Sequence, residues 1–271
     1  MRIIVTGGNS GVGKETATAL AAAGHSVLIA ARDIPKAERA AAAMPGDVEV
    51  AHLDLADLTS VRKFADSVDG VDVLVNNAGV LGLPLSRTAD GFETHMGTNY
   101  LGHFALTCLL GDRITDRVVS VTSMNHMFSR LHLDDLNWHT RPYSKWAAYG
   151  QSKLAVMLFT DELARRGVRA IAVDPGGADT NIVRYSGGFL AWSSKQPFFK
   201  NFPQSAKTAS RSTVMGVTDD VPAGTYLCPV FKQFGKPRVT KPLKKARDPQ
   251  TARALWKLSA ELTECDWPVR S

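Results

Sequence analysis

The segment Thr6-Gly7-Gly8-Asn9-Ser10-Gly11-Val12-Gly13 constrains this chain more than any other. It follows Arg2-Ile3-Ile4-Val5, a β-branched run that reads as a buried parallel strand, and precedes Lys14 to Ala23, an alanine-rich run that reads as a helix. Strand, tight glycine turn and helix start, in that order, make a seat for a phosphate. Side chains in the turn would hold an anion away from the backbone, whereas the free amides and dipole of the first helical turn attract it. The spacing Gly7-x3-Gly11-x-Gly13 departs from the Gly-x-Gly-x-x-Gly of most dinucleotide-binding turns. On these residues alone, a plain glycine-rich strand-to-helix turn remains the other reading.

A second segment, Tyr149-Gly150-Gln151-Ser152-Lys153, sets a phenol four residues before an ammonium on one helical face. Tyrosine, with an ordinary pKa of about 10, is a poor acid or base near neutrality. Two unit charges about 4 Å apart at an effective dielectric near 20 interact by roughly 4 kcal/mol, nominally a lowering of pKa by about three, part of which solvent erodes. Lys153 is therefore expected to acidify Tyr149 enough for it to exchange a proton with a carbonyl or alcohol oxygen. Taken alone, such a pair is usually a solvated helix face.

The pair does not stand alone. Thr-Gly-x3-Gly-x-Gly, Asn76-Asn77-Ala78-Gly79, Asn99, a strand ending in Thr122-Ser123, Tyr-x3-Lys and Pro175-Gly176 occur in that order, and with them the chain resembles a short-chain dehydrogenase/reductase. The match runs from residue 1 to about residue 185 and more loosely to the end. Asn9 to Ala17, Thr88 to His95, Asn99 to Phe104 and Gln151 to Ala155 are similar to the retinol dehydrogenase-like and protochlorophyllide reductase-like branch. The resemblance implies a Rossmann fold and roles residue by residue. Tyr149 would donate the proton in reduction and accept it in oxidation, and Ser123 would hydrogen-bond the substrate oxygen. Lys153 would hold the nicotinamide ribose, and Asn99 would help hold Lys153 and a proton-relay water. Thr122 is the rival hydroxyl, but the family's functional one is generally the second of the pair. The cofactor would lie along Gly7, Asn9, Ser10, Gly11, Val12, Gly13, Arg32, Asp54, Leu55, Asn77, Ala78, Gly79, Asn99, Tyr149, Lys153, Pro175, Gly176 and Thr180. Cofactor choice turns on the tip of the second strand, Ala31-Arg32-Asp33. An acidic residue at the tip would accept hydrogen bonds from the ribose of NAD, whereas an arginine welcomes a 2′-phosphate. Arg32 holds that place, with Asn9 or Lys14 as helpers, so NADP(H) is favoured over NAD(H); an ordinary surface charge is the other reading of Arg32.

Two departures from the branch stand out. Where relatives usually carry His-Pro-Gly this chain has Asp174-Pro175-Gly176, and the linker Gly111 to Asp116 is short.

The rest of the chain fits. At 271 residues it can bury one large core. Strands near residues 2 to 6, 26 to 31, 48 to 53, 71 to 75, 117 to 122 and 169 to 173 alternate with helical stretches, and a last short strand is read near Gly224 to Leu227. The expectation is a single α/β domain over 1–271, a doubly wound parallel sheet with helices on both faces. The 25 residues between Ser123 and Tyr149 carry His126, His132, Trp138, His139 and Trp146. Their histidines lack metal-ligand spacing, so no metal is expected. Tyr185, Phe189, Leu190, Trp192, Phe198, Phe199 and Phe202 suggest an aromatic lid within about 177–215, suited to a bulky lipophilic carbonyl or alcohol. Simple packing or a subunit contact is the alternative for these rings.

No leading apolar segment or membrane span is read, and Cys108, Cys228 and Cys265 make no disulfide pattern, which suits a cytoplasmic protein. The net charge of +6 is concentrated in Lys232, Lys236, Arg238, Lys241, Lys244, Lys245 and Arg247, with no acid among them. A solvated face is the plainer reading, membrane-surface contact the other, and nucleic acid is set aside because no nucleic-acid module accompanies the charge. The helix after Tyr149 is apolar nearly all round, and the resemblance implies a homodimer or homotetramer through it. The rival to an enzyme is a catalytically silent dinucleotide-binding sensor or scaffold; a third reading, light-driven reduction of a pigment ring, would need a cysteine such as Cys108 near the site.

Overall fold

The computed structural model describes residues 1–177 and 205–268. Along the chain run β1 (Arg2–Thr6), α1 (Gly11–Ala22), β2 (Ser26–Ala31), α2 (Ile34–Ala41), β3 (Val48–His52), α3 (Leu58–Asp66), β4 (Val71–Asn76) and the single turn α4 (Thr94–Met96). Then follow α5 (Gly102–Leu110), β5 (Ile114–Val121), α6 (Lys145–Arg165), β6 (Arg169–Val173), α7 (Ala206–Ala209), α8 (Arg211–Thr218), β7 (Tyr226–Pro229), β8 (Pro237–Val239) and α9 (Pro249–Thr263). The strands form one sheet in the order β3-β2-β1-β4-β5-β6-β7-β8, parallel through β7 and antiparallel at the β8 edge.

Successive strand residues point to opposite faces, and both faces are apolar because both are covered. Ile4, Leu28, Leu74, Val118 and Ala170 face α3, α5, α6 and α9, whereas Ile3, Val27, Val73, Val119 and Ile171 face α1, α2 and α8. Each of the leucine, isoleucine and valine side chains, fully buried, contributes roughly 1.5–3 kcal/mol. The sheet is thus a doubly wound α/β sheet of the Rossmann kind in a single domain. Strand order reverses beside β1, between β2 on one side and β4 on the other, which opens a crevice at the carboxyl ends of those strands.

Four details differ from the sequence reading. Helix α1 begins at Gly11, so two of the three motif glycines are its first turn rather than a preceding loop. Strand β5 begins at Ile114, not 117, because Arg113 bonds the carbonyls of Ala65, Val68 and Leu109 and pins the short linker to α3 and α5. Strand β8 escaped notice because Pro237-Arg238-Val239 has no apolar alternation, and its proline is tolerated only on a sheet edge. The second apolar face of α6 is covered by α9 of the same chain: Phe159 stacks on Trp256 at 5.7 Å, Phe104 meets Trp256 edge-on at 5.0 Å, and Tyr100 shares a 2.7 Å hydrogen bond with Ser259. That face is therefore covered within the chain itself. Cys108 is buried in the same core on α5, away from the crevice. The aromatic residues 185 to 202 lie outside the described residues.

Candidate active site

A cleft of about 570 Å³ crosses the carboxyl ends of β1, β2, β4, β5 and β6. At its floor the glycine turn is built for close approach. Gly7 and Gly11 have φ of +67° and +54°, a region that costs any other residue strain. A Cβ on Gly13 would collide with the Asn77 side chain and stand 2.6 Å from the Gly7 carbonyl oxygen. Thr6 ties the turn to β4: its hydroxyl accepts from the amides of Asn77 and Ala78, both at 2.9 Å, and the Asn77 side chain donates to the Thr6 carbonyl at 2.8 Å.

The remaining Thr6 proton has a defined destination. Burial, aided by the charge of Lys153, pushes His103 down to about 4, against the pull of the Asn99 carbonyl, so the imidazole is neutral at pH 7. Its Nδ1 donates to that carbonyl at 3.1 Å, which leaves Nε2 to accept from the Thr6 hydroxyl at 2.9 Å, a shorter bond than the same hydroxyl makes to the Val75 carbonyl at 3.3 Å. Asn99 sits in a wide turn, Gly97–Leu101, closed by the Gly102 amide on the Gly97 carbonyl. Its side chain accepts from the Val80 amide at 2.7 Å and donates to the Val80 carbonyl and Ser152 hydroxyl at 3.0 Å each. Asn99 thus fastens the end of β4 to α6 from beneath. It is 1 % exposed, is not among the residues that line the cleft, and reaches α6 through Ser152.

Above this floor stand Ser123, Tyr149 and Lys153. Ser123 follows β5 and lines the cleft with Tyr149, whose pKa its hydroxyl pulls down. The rival Thr122 is buried and donates to the Lys153 backbone carbonyl at 3.0 Å, a structural task that turns it away from the cleft. The Lys153 amine donates to the Val121 carbonyl at 2.9 Å and lies 5.8 Å from the Tyr149 ring centre. The expected acidification of the phenol is absent. Burial pushes Tyr149 up to about 12, the Ser123 hydrogen bond pulls it down and the Asp174 charge adds to the rise. At neutral pH the phenol is therefore protonated, the form a donor requires. The branch motif at Glu93 and His95 walls the ring: the two side chains bond at 2.8 Å in full burial, Tyr143 donates to Glu93 at 3.0 Å, and His95 meets Tyr149 edge-on at 6.2 Å.

Asp174, standing where relatives carry histidine, is a cleft residue that sequence reasoning noted without a role. It accepts from the Gly176 amide at 2.8 Å and from Tyr226 at 3.3 Å. Burial pushes its carboxyl up to about 6, against those bonds and the Lys153 charge. Lys153 falls to about 8 through burial, and the Asp174 charge holds it from falling further. The native carboxyl binds its proton more tightly than an unfolded one, so wild-type stability declines as pH rises from about 4 to about 6. Asp174→Asn is expected to be more stable than wild type at pH 8, by up to about 3 kcal/mol, with the advantage vanishing near pH 4. Its alkaline limb in kcat/KM moves to lower pH as Lys153 loses a supporting charge; thermal melts and a pH profile read both.

At the far end of the cleft, Arg32 is paired with Asp54 at 3.8 Å while its own side chain is 74 % exposed. Asp33 accepts from the Lys36 amide at 3.0 Å as the cap of α2, so its carboxylate is engaged by the helix. Lys36, overlooked in the sequence, lines this end with Asn9 and Arg32, whereas Lys14 does not. Its signal was available, since it lies one helical turn from the strand tip. Gly7, Asn9, Ser10, Gly11, Val12, Gly13, Arg32, Asp54, Leu55, Asn77, Ala78, Gly79, Tyr149, Lys153, Pro175 and Gly176 all come together along the cleft with Ser123, and Thr180 lies outside the described residues. The cleft fits a nicotinamide dinucleotide on two counts. A Cβ would fill the cradle at Gly13, and the buried Lys153 ammonium has only Val121 as an acceptor among the described residues, which leaves N–H groups for ribose hydroxyls.

A doubly wound sheet with this turn and this Ser-Tyr-Lys cluster defines a dinucleotide-binding oxidoreductase. The short chain dehydrogenase family model matches residues 1–135. Retinol dehydrogenase 13 of Homo sapiens is 39% identical, with 98% of this chain and 85% of the relative covered. Polyprenol dehydrogenase of Homo sapiens is 36% identical over 96% of this chain and 84% of the relative. A crystal structure of a protein from Mycobacterium Paratuberculosis is 45% identical with a TM-score of 0.87, covering 98% of this chain and 94% of that one. The chain belongs to the short-chain dehydrogenase/reductase family and is an oxidoreductase acting on alcohol or carbonyl groups with a nicotinamide dinucleotide. Its relatives set it in the retinol dehydrogenase-like branch.

Proposed function

We propose that this protein is an NADP(H)-dependent oxidoreductase of bulky lipophilic alcohols or carbonyls, with Tyr149 as the proton-exchanging group. The observation that carries the chemistry is that Ser123, Tyr149 and the buried Lys153 line one cleft with the glycine turn. A nicotinamide held in this cleft by the glycine turn and Lys153 would supply the hydride to the carbonyl carbon, or take it from the alcohol. Tyr149 gives its proton to the substrate oxygen in reduction and takes it back in oxidation, and Ser123 hydrogen-bonds the same oxygen. Lys153 holds ribose hydroxyls and offers positive charge to the phenolate left behind. A silent sensor would have no use for this pair of hydroxyls beside the lysine; turnover on a panel of lipophilic alcohols and carbonyls separates the two.

For the cofactor, support comes from Arg32, Lys36 and Asn9 at the adenosine end with Asp33 withdrawn into its helix cap. Arg32→Ala is expected to weaken NADPH binding at least about tenfold, since a charge-assisted hydrogen bond is worth roughly 1.5–3 kcal/mol, and to leave NADH binding unchanged. Equal losses for both, by fluorescence titration, would remove the NADP(H) preference. For the substrate, an adjoining cavity of about 700 Å³ shares Asn125 and Trp146 with the cleft and carries Phe128 and Trp138. Two relatives are named for retinol and polyprenol, alcohols with long apolar tails. The three cysteines are free and buried, in keeping with a reducing, cytoplasmic setting.

A further inference from the structure

We propose that the hairpin between β7 and β8, with the segment that follows it, is a docking surface for an anionic lipid bilayer. The sequence alone made its charge look like a solvated face, but the structure adds apolar side chains to it. Of the seven large hydrophobic side chains exposed among the described residues, Phe231, Phe234, Val239 and Leu243 lie on or just after this hairpin, and Phe128 lies on the turn beside it. Phe231 is 65 % exposed and Phe128 79 %. Phe231 and Phe234 pack on each other at 5.0 Å, so the tip presents a paired aromatic wedge rather than scattered rings.

The neighbouring turn is fixed to this surface. Lys245 donates to the carbonyls of Met127 and Ser129 at 2.8 and 2.7 Å, and Lys232 approaches the Met127 sulfur at 3.9 Å, which brings Phe128 alongside. Around these apolar groups Lys232, Lys236, Arg238, Lys241 and Lys244 are all exposed, and none has a carboxylate within ion-pair distance among the described residues. Exposed aromatics among unpaired cations suit a negatively charged interface, where rings enter the headgroup layer and ammonium groups meet lipid phosphates. A bare electrostatic surface for nucleic acid would not need the aliphatic Val239 and Leu243 held outward. No helix of the described residues is long and apolar enough to cross a membrane. The surface adjoins the cleft: the Gly177 amide bonds the Gln233 carbonyl at 2.9 Å, and both residues line it.

The test is co-sedimentation of the full chain with vesicles of phosphatidylcholine alone or with phosphatidylserine as about a third of the lipid. Binding is expected to the anionic vesicles and to fade in high salt. Lys232→Glu with Lys236→Glu should weaken it at least about tenfold, given roughly 1 kcal/mol per cation near such a surface; Phe231→Ser with Phe234→Ser should weaken it by a similar factor at unchanged charge. Arg39→Glu with Lys63→Glu makes the same charge change on α2 and α3 by the opposite sheet edge and should leave binding within about twofold. Unchanged NADPH binding and melting temperature show that the variants fold. Failure of the wild type to bind, equal losses in hairpin and control variants, or binding of duplex DNA in place of vesicles would overturn the proposal. None of these readouts depends on the catalytic assignment.

Discussion

Tyr149→Phe is expected to lower kcat by about 10²–10⁴-fold, the range that a positioned acid or base supplies, while NADPH affinity stays within about twofold of wild type. The phenylalanine ring keeps the edge contact with His95, and the substitution removes only the hydroxyl that Ser123 bonds. Loss of one buried hydrogen bond costs roughly 1 kcal/mol of stability, so the variant should fold and bind. Single-turnover kinetics with preloaded NADPH separates the two effects, because the proton step fails whereas cofactor fluorescence enhancement persists. A variant that turns over at the wild-type rate would remove Tyr149 from the mechanism and shift attention to Ser123. Since burial holds the wild-type phenol at about 12, reduction should show no alkaline limb from Tyr149 below about pH 10.

Gly13→Ala should be the most damaging substitution outside the cluster. The added methyl meets the Asn77 side chain and the Gly7 carbonyl oxygen, and that oxygen is main chain at the start of a turn that cannot retreat without disturbing β1. Overpacking of this kind costs about 1–3 kcal/mol, or a fall of roughly 2–9 °C in melting temperature for a chain of this size. NADPH affinity should fall by more than about tenfold, because the Asn77 amide that bonds the Thr6 carbonyl must also give way. Isothermal titration and a thermal melt read both. Affinity within about twofold of wild type would mean that the turn does not seat the pyrophosphate.

Much of this arrangement was legible because it rests on local chemistry. Strands β1, β2 and β6 match the β-branched and apolar runs residue for residue, since a strand buried on both faces must be apolar throughout. The glycine turn was legible because only glycine tolerates the φ and the approach that it imposes, and the other cleft-lining residues were named from the family resemblance. Other positions were closed to sequence. Whether Asn99 touches the cleft or underpins it depends on the wide turn at Gly97–Leu101, which no periodicity announces. Whether Lys153 acidifies Tyr149 depends on where the amine finds an acceptor, and it finds the Val121 carbonyl, thirty-two residues back along the chain. The covering of α6 by α9 is a contact between segments nearly a hundred residues apart, in which Phe159 meets Trp256.

The sequence by itself determined the parallel strands and the glycine turn, because both are written in patterns that short-range geometry enforces, and its family resemblance named the candidate reactive side chains. Tertiary structure alone decided their charge states and the surfaces they share. A phenol with an ordinary pKa of 10 stands at about 12, a carboxyl of 3.8 at about 6 and an ammonium of 10.5 at about 8. The physical reason is that burial and neighbouring charge act through distances in space, and those distances exist only after the chain has closed on itself.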